Sequence, residues 1–467
     1  MPFRIERDSL GDMPVPEEAY YGVQTVRALE NFPISGIRPH PALVRATVLV
    51  KKCAAEANLS LGRLAPEIAQ AVIGAADEVL AGALADQFVV DIYQAGAGTS
   101  HNMNVNEVLA NRAAERLGGT RGTYDRVHPN DHVNMSQSTN DVFPTATRLA
   151  VLKETAGLVE AARGLVASLE RKAVAFGSVL KVGRTHLQDA VPITFGQVFS
   201  GYAASLARGA DDVAGAREQL LELNLGATAV GTGLNAGDDY ARLAIAALAR
   251  ETSLPVVPAA NRFRVTQSMG DVLAVSGAVR RLAVESNRLA SDLRLLASGP
   301  RAGLEELRLP AVQPGSSIMP GKVNPSVPEM VNQVCYQVYG CDATIAAATD
   351  AGQLELNVMM PVIAWNAVHA ASILGRALTV LASRTVDGLE VDVDRCRELL
   401  DRSTAVATAL SPYLGYARTA EVAKDAVATG RSIREVVLAR GWMAPEQLDA
   451  ILAPDAMTSP GVVRGPS

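Results

Sequence analysis

Between Pro314 and Pro325 the chain reads PGSSIMPGKVNP. Three prolines and two glycines within that stretch exclude a regular helix, so a shaped loop is expected. Gly315 and Gly321 open backbone conformations closed to other residues, and successive amides in such a loop form a nest that holds an anion. Ser316 and Ser317 lie beside those amides, with Lys322 and Asn324 six and eight residues beyond Ser316. A serine hydroxyl is a poor base in water. In a water-excluded nest with a cation nearby, its alkoxide is stabilised enough to remove a proton from carbon. The competing reading of the same residues is a structural glycine turn.

Three further polar knots stand out: GAGTSHNMNVNE (Gly96–Glu107), HPNDHVNMSQSTND (His128–Asp141) and GRTHLQD (Gly183–Asp189). They are rich in Thr, Ser, Asn, His and Gln and lack the carboxylate clusters of a metal site. His128 and His132 are spaced i, i+4, but Pro129 and Asn130 disfavour a regular helix there and no HExxH pattern accompanies them. Metal binding is therefore not expected. Neutral donors, with Arg184, His186 and Lys322, suit an anionic substrate whose carboxylates take many hydrogen bonds. Capping of long helices would explain any one such Asn or Thr; four knots in one chain favour a site.

The frame that must position these residues is helical. Long helices are expected at Asn140–Ala175, Pro192–Leu223, Arg262–Ala297, Val327–Ala348 and Leu356–Ala382, with shorter ones at Pro41–Asn58 and Pro66–Ala83. In the third, Val265, Met269, Val272, Val275, Val279, Leu282, Leu289, Leu293 and Leu296 form an apolar stripe at helical spacing. Ser276, Ala283, Ser286, Ala290 and Ala297 would let a neighbouring helix approach closely. Helices roughly 40–50 Å long exceed what one compact domain needs, which suggests a bundle continuing into partner subunits; a large monomeric helical protein is the alternative. Three domains are expected: a mixed, mainly helical region over 1–139, a long-helix bundle over 140–393 and a small helical region over 394–467 that ends in a Pro/Gly/Ser tail expected to fray.

Composition narrows the class. Aromatics make up only 4% of 467 residues while 48% are hydrophobic, which suits closely packed helices. A net charge of −6 gives no basic footprint for nucleic acid. No apolar run is long enough to span a bilayer, and MPFRIERDSLGDMPVP has no apolar leader core. Cys53, Cys335, Cys341 and Cys396 show no CxxC spacing and read as buried thiols in a reducing compartment. A cytoplasmic protein is the expectation.

The loop GSSIMPGKVNP resembles the signature loop of the aspartase/fumarase superfamily. The likeness runs through almost the whole chain, from RIERDSLGDMPVPEEAYYGVQT through LENFPIS to GRSIREVVLARG. The resemblance implies an all-α, three-domain subunit whose five central helices join a twenty-helix core in a homotetramer, with each active site shared by three subunits. It implies anti elimination across a succinyl Cα–Cβ bond to give fumarate, without cofactor or metal. Within the superfamily, YYGVQT, QSTND (Gln137–Asp141), NLGATAVGTGLN and AGQLELNVM follow the aspartase branch, which releases ammonia from L-aspartate. Elimination of water from L-malate, a lyase for a modified aspartate, and a catalytically silent helical scaffold are the alternatives.

Carried over residue by residue, the resemblance makes Ser316 the base for the Cβ proton, with His186 and Lys322 also in catalytic positions. Lys322, Asn324, Thr185 and His186 would bind the α-carboxylate. Thr99, Ser138 and Thr139 would grip the β-carboxylate, which gains enediolate character as the proton leaves. Asn140, with Thr99 and His186, would orient the amino group, and Glu329 would orient His186. Two residues depart from the branch. His101 falls in GTSHNMN, where a smaller or apolar residue is usual, and an imidazole beside Thr99 is expected to alter what the pocket accepts. Met360 stands where Glu is typical.

Overall fold

The computed structural model describes residues 2–462; the terminal tail from residue 463 lies outside them. The chain is mostly helical. It opens with an antiparallel hairpin of β1 (Phe3–Asp8) and β2 (Gly11–Pro16), followed by α1 (Val23–Asn31), α2 (Pro41–Ser60), α3 (Pro66–Leu80) and α4 (Thr99–Arg116). Next come α5 (Thr139–Ala175), an antiparallel hairpin of β3 (Leu180–Thr185) and β4 (Gln188–Thr194), and α6 (Phe195–Arg217). Then follow β5 (Glu222–Leu223), α7 (Asp238–Thr252), β6 (Val257–Pro258), α8 (Arg262–Gln267), α9 (Gly270–Leu296), β7 (Leu307–Arg308), α10 (Ser326–Asp350) and α11 (Met360–Leu381). Last are β8 (Glu390–Val391), α12 (Val393–Arg402) and the short helices α13 (Ser411–Leu414), α14 (Tyr416–Thr429), α15 (Ile433–Ala439) and α16 (Pro445–Ile451).

The residues divide into two compact units. One comprises Met1–Glu160, Gly209–Ala283 and Val334–Arg376; the other comprises Ala161–Arg208, Val284–Gln333 and Ala377–Ser467. The boundaries fall inside α5, α6, α9, α10 and α11, so each of the five long helices contributes residues to both. In the first unit, α2, α3 and α4 share a core of Val48, Ala55, Val72, Ala75, Val105, Leu109 and Ala113. Small side chains let helices close up: a Cβ added at Gly209 on α6 would sit 3.0 Å from Leu282 on α9. In the second unit, Leu410, Val422, Ile433, Val437, Leu448 and Ile451 form the core of the C-terminal helices.

The expected apolar stripe is buried from Val265 through Leu293, with Ser276, Ala283, Ser286 and Ala290 buried beside it. Its helix, however, is broken. Ser268 is extended (φ −114°, ψ 137°) and its Oγ accepts the Gly270 N–H, so α8 ends and α9 starts afresh. Pro192 lies in β4, so the second long helix begins at Phe195 instead of Pro192. Four two-stranded ribbons among the described residues add to the expected all-α frame without replacing it. Most of the GAGTSHNMNVNE knot is helix interior: Thr99 begins α4, and Ser100 through Asn111 are all buried. The four cysteines are buried thiols, and no helix among the described residues is long and apolar enough to cross a membrane.

The break between α8 and α9 leaves carbonyls that a buried cation collects. Arg148 on α5 donates Nε to Asp271 Oδ2 at 2.7 Å and Nη2 to Asp271 Oδ1 at 3.3 Å. The same Nη2 reaches the carbonyls of Val265 and Ser268 at 3.2 Å each. The side chains of Arg148 and Asp271 are 0% and 4% exposed, so neither end has water to fall back on. Arg148→Met is expected to leave Asp271 an uncompensated buried charge and to cost about 3–5 kcal/mol. Chemical denaturation followed by circular dichroism should show a markedly lower midpoint; an unchanged midpoint would contradict this account of the helix break.

Candidate active site

In the first unit the heads of α4 and α5 lie side by side. Gly98 caps α4 at φ +86°, and a Cβ there would meet the Phe143 ring of α5 at 2.2 Å, so only glycine permits this approach. Thr99 is thereby the first, exposed residue of α4. At α5, Ser138 Oγ accepts the Asn140 N–H at 3.2 Å, while Asp141 Oδ1 accepts the Ser138 N–H at 2.9 Å, a reciprocal cap. Asn140 Nδ2 is committed to the Ala229 carbonyl at 2.8 Å, which fixes the carboxamide so that the acceptor Oδ1 is the atom it can offer an ammonium group. Thr99, Ser138, Thr139 and Asn140 thus cluster at two helix N-termini, where partial positive charge favours a carboxylate.

Behind them sits a polar layer that reading the sequence missed. Lys51 on α2 is fully buried and donates Nζ to Asn134 Oδ1 at 2.8 Å and to Gln137 Oε1 at 2.9 Å. Burial pushes its amine down to about 7, against a smaller opposing pull from Asp141. Asp141 also accepts the N–H groups of Gly226 and Thr228, each at 2.9 Å. Burial nevertheless raises its carboxyl to about 6. Glu107 likewise accepts from Gly22 N, Thr25 N and Thr25 Oγ1, tying the start of α1 to α4. The signal for this layer was the density of Asn in NMNVNE, which the reading of that stretch as a substrate-facing polar knot absorbed.

In the second unit Thr185 and His186 are exposed at the tip of the β3–β4 hairpin. His186 (φ +56°) and Leu187 (φ +59°) form its two-residue turn, both left-handed without glycine. Such strain persists only when the flanking strands enforce it. Below the tip, Arg184 gives Nη1 to the wholly buried Glu306 at 2.7 Å, and Lys181 lies 3.5 Å from the same carboxylate. Arg184 is therefore a brace for the hairpin, not the substrate cation suggested by its place in GRTHLQD.

The Pro314–Pro325 loop also belongs to the second unit. Gly315 N–H donates to the Lys322 carbonyl at 2.7 Å and Asn324 Nδ2 to the Gly315 carbonyl at 2.7 Å, closing the loop at its base. A Cβ at Gly315 would meet Lys322 O at 2.6 Å. Within the loop, Ser316 Oγ accepts two backbone N–H groups, from Ile318 at 3.2 Å and Met319 at 3.0 Å. Two amides aimed at one hydroxyl oxygen favour its alkoxide. Ser316, Met319, Gly321 and Lys322 line a shallow cavity of about 480 Å³. Ser317 is exposed, and no hydrogen bond from its hydroxyl is present among the described residues. Glu329 sits in the first turn of α10; it and His186 form no ion pair within one chain, among the described residues. The two units thus hold the site residues as two sets: Thr99, Ser138, Thr139 and Asn140 in one, Thr185, His186, Ser316, Lys322, Asn324 and Glu329 in the other.

Likeness to known proteins defines the class of this helical chain. Residues 11–340 match the family model described as lyase, and residues 406–459 match that described as fumarase C C-terminus. The chain belongs to this lyase family. It is 48% identical over 459 residues to an aspartate ammonia-lyase of Bacillus sp, covering 98% of each chain. A Brucella melitensis structure described as fumarate lyase:delta crystallin bound to cobalt is 49% identical, with a TM-score of 0.94, covering 98% of this chain and all of that one. A class II fumarase structure from Schistosoma mansoni is 38% identical with a TM-score of 0.95, covering 98% and 99%.

Both departures from the aspartase wording are buried. Met360 is 0% exposed in the core. His101 is 1% exposed: its Nε2 lies 2.9 Å from Thr47 Oγ1 and its ring packs edge-on against Phe143. Thr47 Oγ1 already donates to the Leu43 carbonyl, so His101 must carry its proton on Nε2. The expectation that this imidazole shapes the pocket is corrected; it is a core residue. His128 and His132 each accept backbone N–H groups on Nδ1, serving as caps of a π-helical turn.

Burial, with Lys51 adding to it, pushes His101 down to about 3. In the unfolded chain a histidine takes its proton near 6.5. Above that pH neither state is charged; below it the unfolded state binds the extra proton, so stability falls as pH drops. Between pH 7 and pH 5 this contributes a loss of about 2 kcal/mol. His101→Leu cannot take that proton. Urea denaturation should therefore show the stability gap between wild type and variant narrowing by about that amount. A gap independent of pH would mean that the folded protein protonates His101 as readily as the unfolded one.

Proposed function

We propose that the chain is an aspartate ammonia-lyase that interconverts L-aspartate with fumarate and ammonia. The observation that carries the chemistry is the pair of N–H groups from Ile318 and Met319 on Ser316 Oγ. They support Ser316 as the base that removes the Cβ proton, because fixed amide dipoles stabilise an alkoxide without reorganising. The electron pair left on Cβ delocalises into the β-carboxylate, and Thr99, Ser138 and Thr139 hold the resulting enediolate. Collapse of that intermediate re-forms the carboxylate, makes the Cα–Cβ double bond and expels ammonia from Cα. Lys322, Asn324, Thr185 and His186 hold the α-carboxylate. The Asn140 carbonyl oxygen, left outward by the Ala229 bond, orients the amino group. No cofactor enters this scheme.

The residues named belong to a site assembled from three chains of a homotetramer, so that Glu329 of one chain orients His186 of another. The long helices, with Tyr336, Val284 and Val380 exposed along them, support a twenty-helix core of three-domain subunits. Ile318 and Met319, also exposed, suit a loop that closes over substrate and excludes water. The four buried free thiols support a cytoplasmic enzyme.

Ammonia over water as the leaving group is supported by QSTND and YYGVQT and by the identity to a named aspartate ammonia-lyase. Fumarate absorbance should therefore rise far faster from L-aspartate than from L-malate. Comparable turnover of L-malate would move the assignment to fumarase, and cleavage of only a substituted aspartate would move it to that substrate. Ser316→Ala is expected to lower kcat by at least about 10³-fold, in the range of a lost proton-transfer group, while a dicarboxylate inhibitor still binds. Ser317→Ala should stay near wild type; the reverse pattern would shift the base by one residue.

A further inference from the structure

We propose that Lys51, Asn134 and Asn102 form a directional hydrogen-bond relay that fixes the Thr139 hydroxyl as a donor toward the substrate carboxylate. Asn102 is then a positioning residue for the reaction. The inference rests on the reading above that Thr139 grips a carboxylate.

The relay starts at a group with hydrogens to give. Lys51 Nζ faces two amide side chains, Asn134 at 2.8 Å and Gln137 at 2.9 Å. Gln137 is turned oxygen-first toward Lys51 because its Nε2 is given to the carbonyls of Val133 and Met135, at 3.1 Å and 3.0 Å. Asn134 sends its own Nδ2 the other way, to the Gln137 carbonyl at 3.2 Å. Its Oδ1 can only accept. Asn102 and Asn106 each place Nδ2 3.3 Å from that oxygen. This sets the Asn102 carboxamide, whose Nδ2 also lies 3.1 Å from Thr139 Oγ1. The nitrogen only donates, so Thr139 Oγ1 accepts, and its single proton is left to point elsewhere.

The opposite arrangement is chemically possible for an isolated Asn–Thr pair: the carbonyl of Asn102 could accept the Thr139 proton. Flipping Asn102 would set Oδ1 against Asn134 Oδ1, two acceptors face to face. The chain instead tolerates a buried Asn102 Oδ1 that meets no donor among the described residues. Leaving such a carbonyl unpaired is costly, and the cost is borne at the position where a flip would have relieved it. Thr139, at the first position of α5 and half-buried, therefore reaches the site as a donor held ready before the charge develops, which is what stabilisation of an enediolate requires.

A double-mutant cycle tests this, read in kcat/KM for L-aspartate and in succinate affinity by calorimetry. Thr139→Val removes the donor and should lower kcat/KM by roughly 10²-fold, the lower end for a lost donor to developing charge. Asn102→Leu leaves the hydroxyl undirected and should cost less, roughly 10-fold; Asn102→Asp, read at a pH where its carboxylate is ionised and can only accept, should cost more than Asn102→Leu. Placed on Thr139→Val, either change should add under about 3-fold, because each acts through the hydroxyl already removed. If Asn102→Asp does not fold, the Asn102→Leu cycle carries the same signature. Losses that multiply would overturn the relay while leaving the Thr139 reading in place. A Thr139→Val enzyme with unchanged kcat/KM and succinate affinity would remove that reading and the relay with it.

Discussion

A carboxylate with no water around it must find its hydrogen bonds in the protein, and Asp141 finds them by gathering the backbone. Its oxygens take the N–H groups of Ser138, Gly226 and Thr228. Three amides offset much of the penalty of burial, though not all of it, since the carboxyl titrates at about 6. The geometric consequence exceeds the energetic one. The Gln137–Asp141 turn and the loop after Leu225 are clamped to a single group, and Asn140 then has the Ala229 carbonyl within reach. Ser138, Thr139 and Asn140 owe their directions to this clamp. With Lys51 holding Gln137 from the other side, the turn has little freedom left.

The second unit meets the same need for precision by other means. In the Pro314–Pro325 loop, prolines and the Gly315–Lys322 closure define the path. The donors it supplies to Ser316 are backbone amides. The β3–β4 tip relies on strand pairing and on Glu306, which is wholly buried and anchors Arg184 and Lys181. Removing Glu306 would strand two cations, so the ion pair ties the hairpin strand to the segment before β7. A strained His-Leu turn is tolerable only above such a brace.

Those contrasts explain which parts could be read in the sequence. Long helices announce themselves through spacing that survives any environment, and the apolar stripe on α9 is buried along nearly its whole length. The Ser316 loop was legible because Gly and Pro restrict the backbone locally. What escaped depends on partners distant in sequence. Arg184 looks like a ligand until Glu306 is placed beside it, 122 residues away. His101 looks like a pocket residue until Thr47 and Phe143 enclose it. The His186–Leu187 turn lacks the Asn-Gly or Asp-Gly pair by which such turns are recognised. Lys51 was invisible for a different reason: one lysine in a helix is nearly always on the surface, and only the burial of α2 reverses that presumption.

The placement of buried polar groups also follows a chemical logic. A buried amine and carboxylate stabilise a fold less than well-packed apolar residues of similar size would. Their presence under Ser138, Thr139 and Asn140 is understandable if direction, rather than stability, is what that surface needs. Hydroxyls and carboxamides rotate or flip with little intrinsic preference, so a donor made from a side chain must be told which way to point. Backbone N–H groups need no such instruction, because the peptide plane already aims them. Ser316 is served by amides and requires only a loop. Thr139 is itself a side-chain donor and stands on a buried network. Beneath the Ser138–Asn140 turn, polar burial serves side chains that must present a fixed proton; at the Ser316 loop the main chain presents it instead.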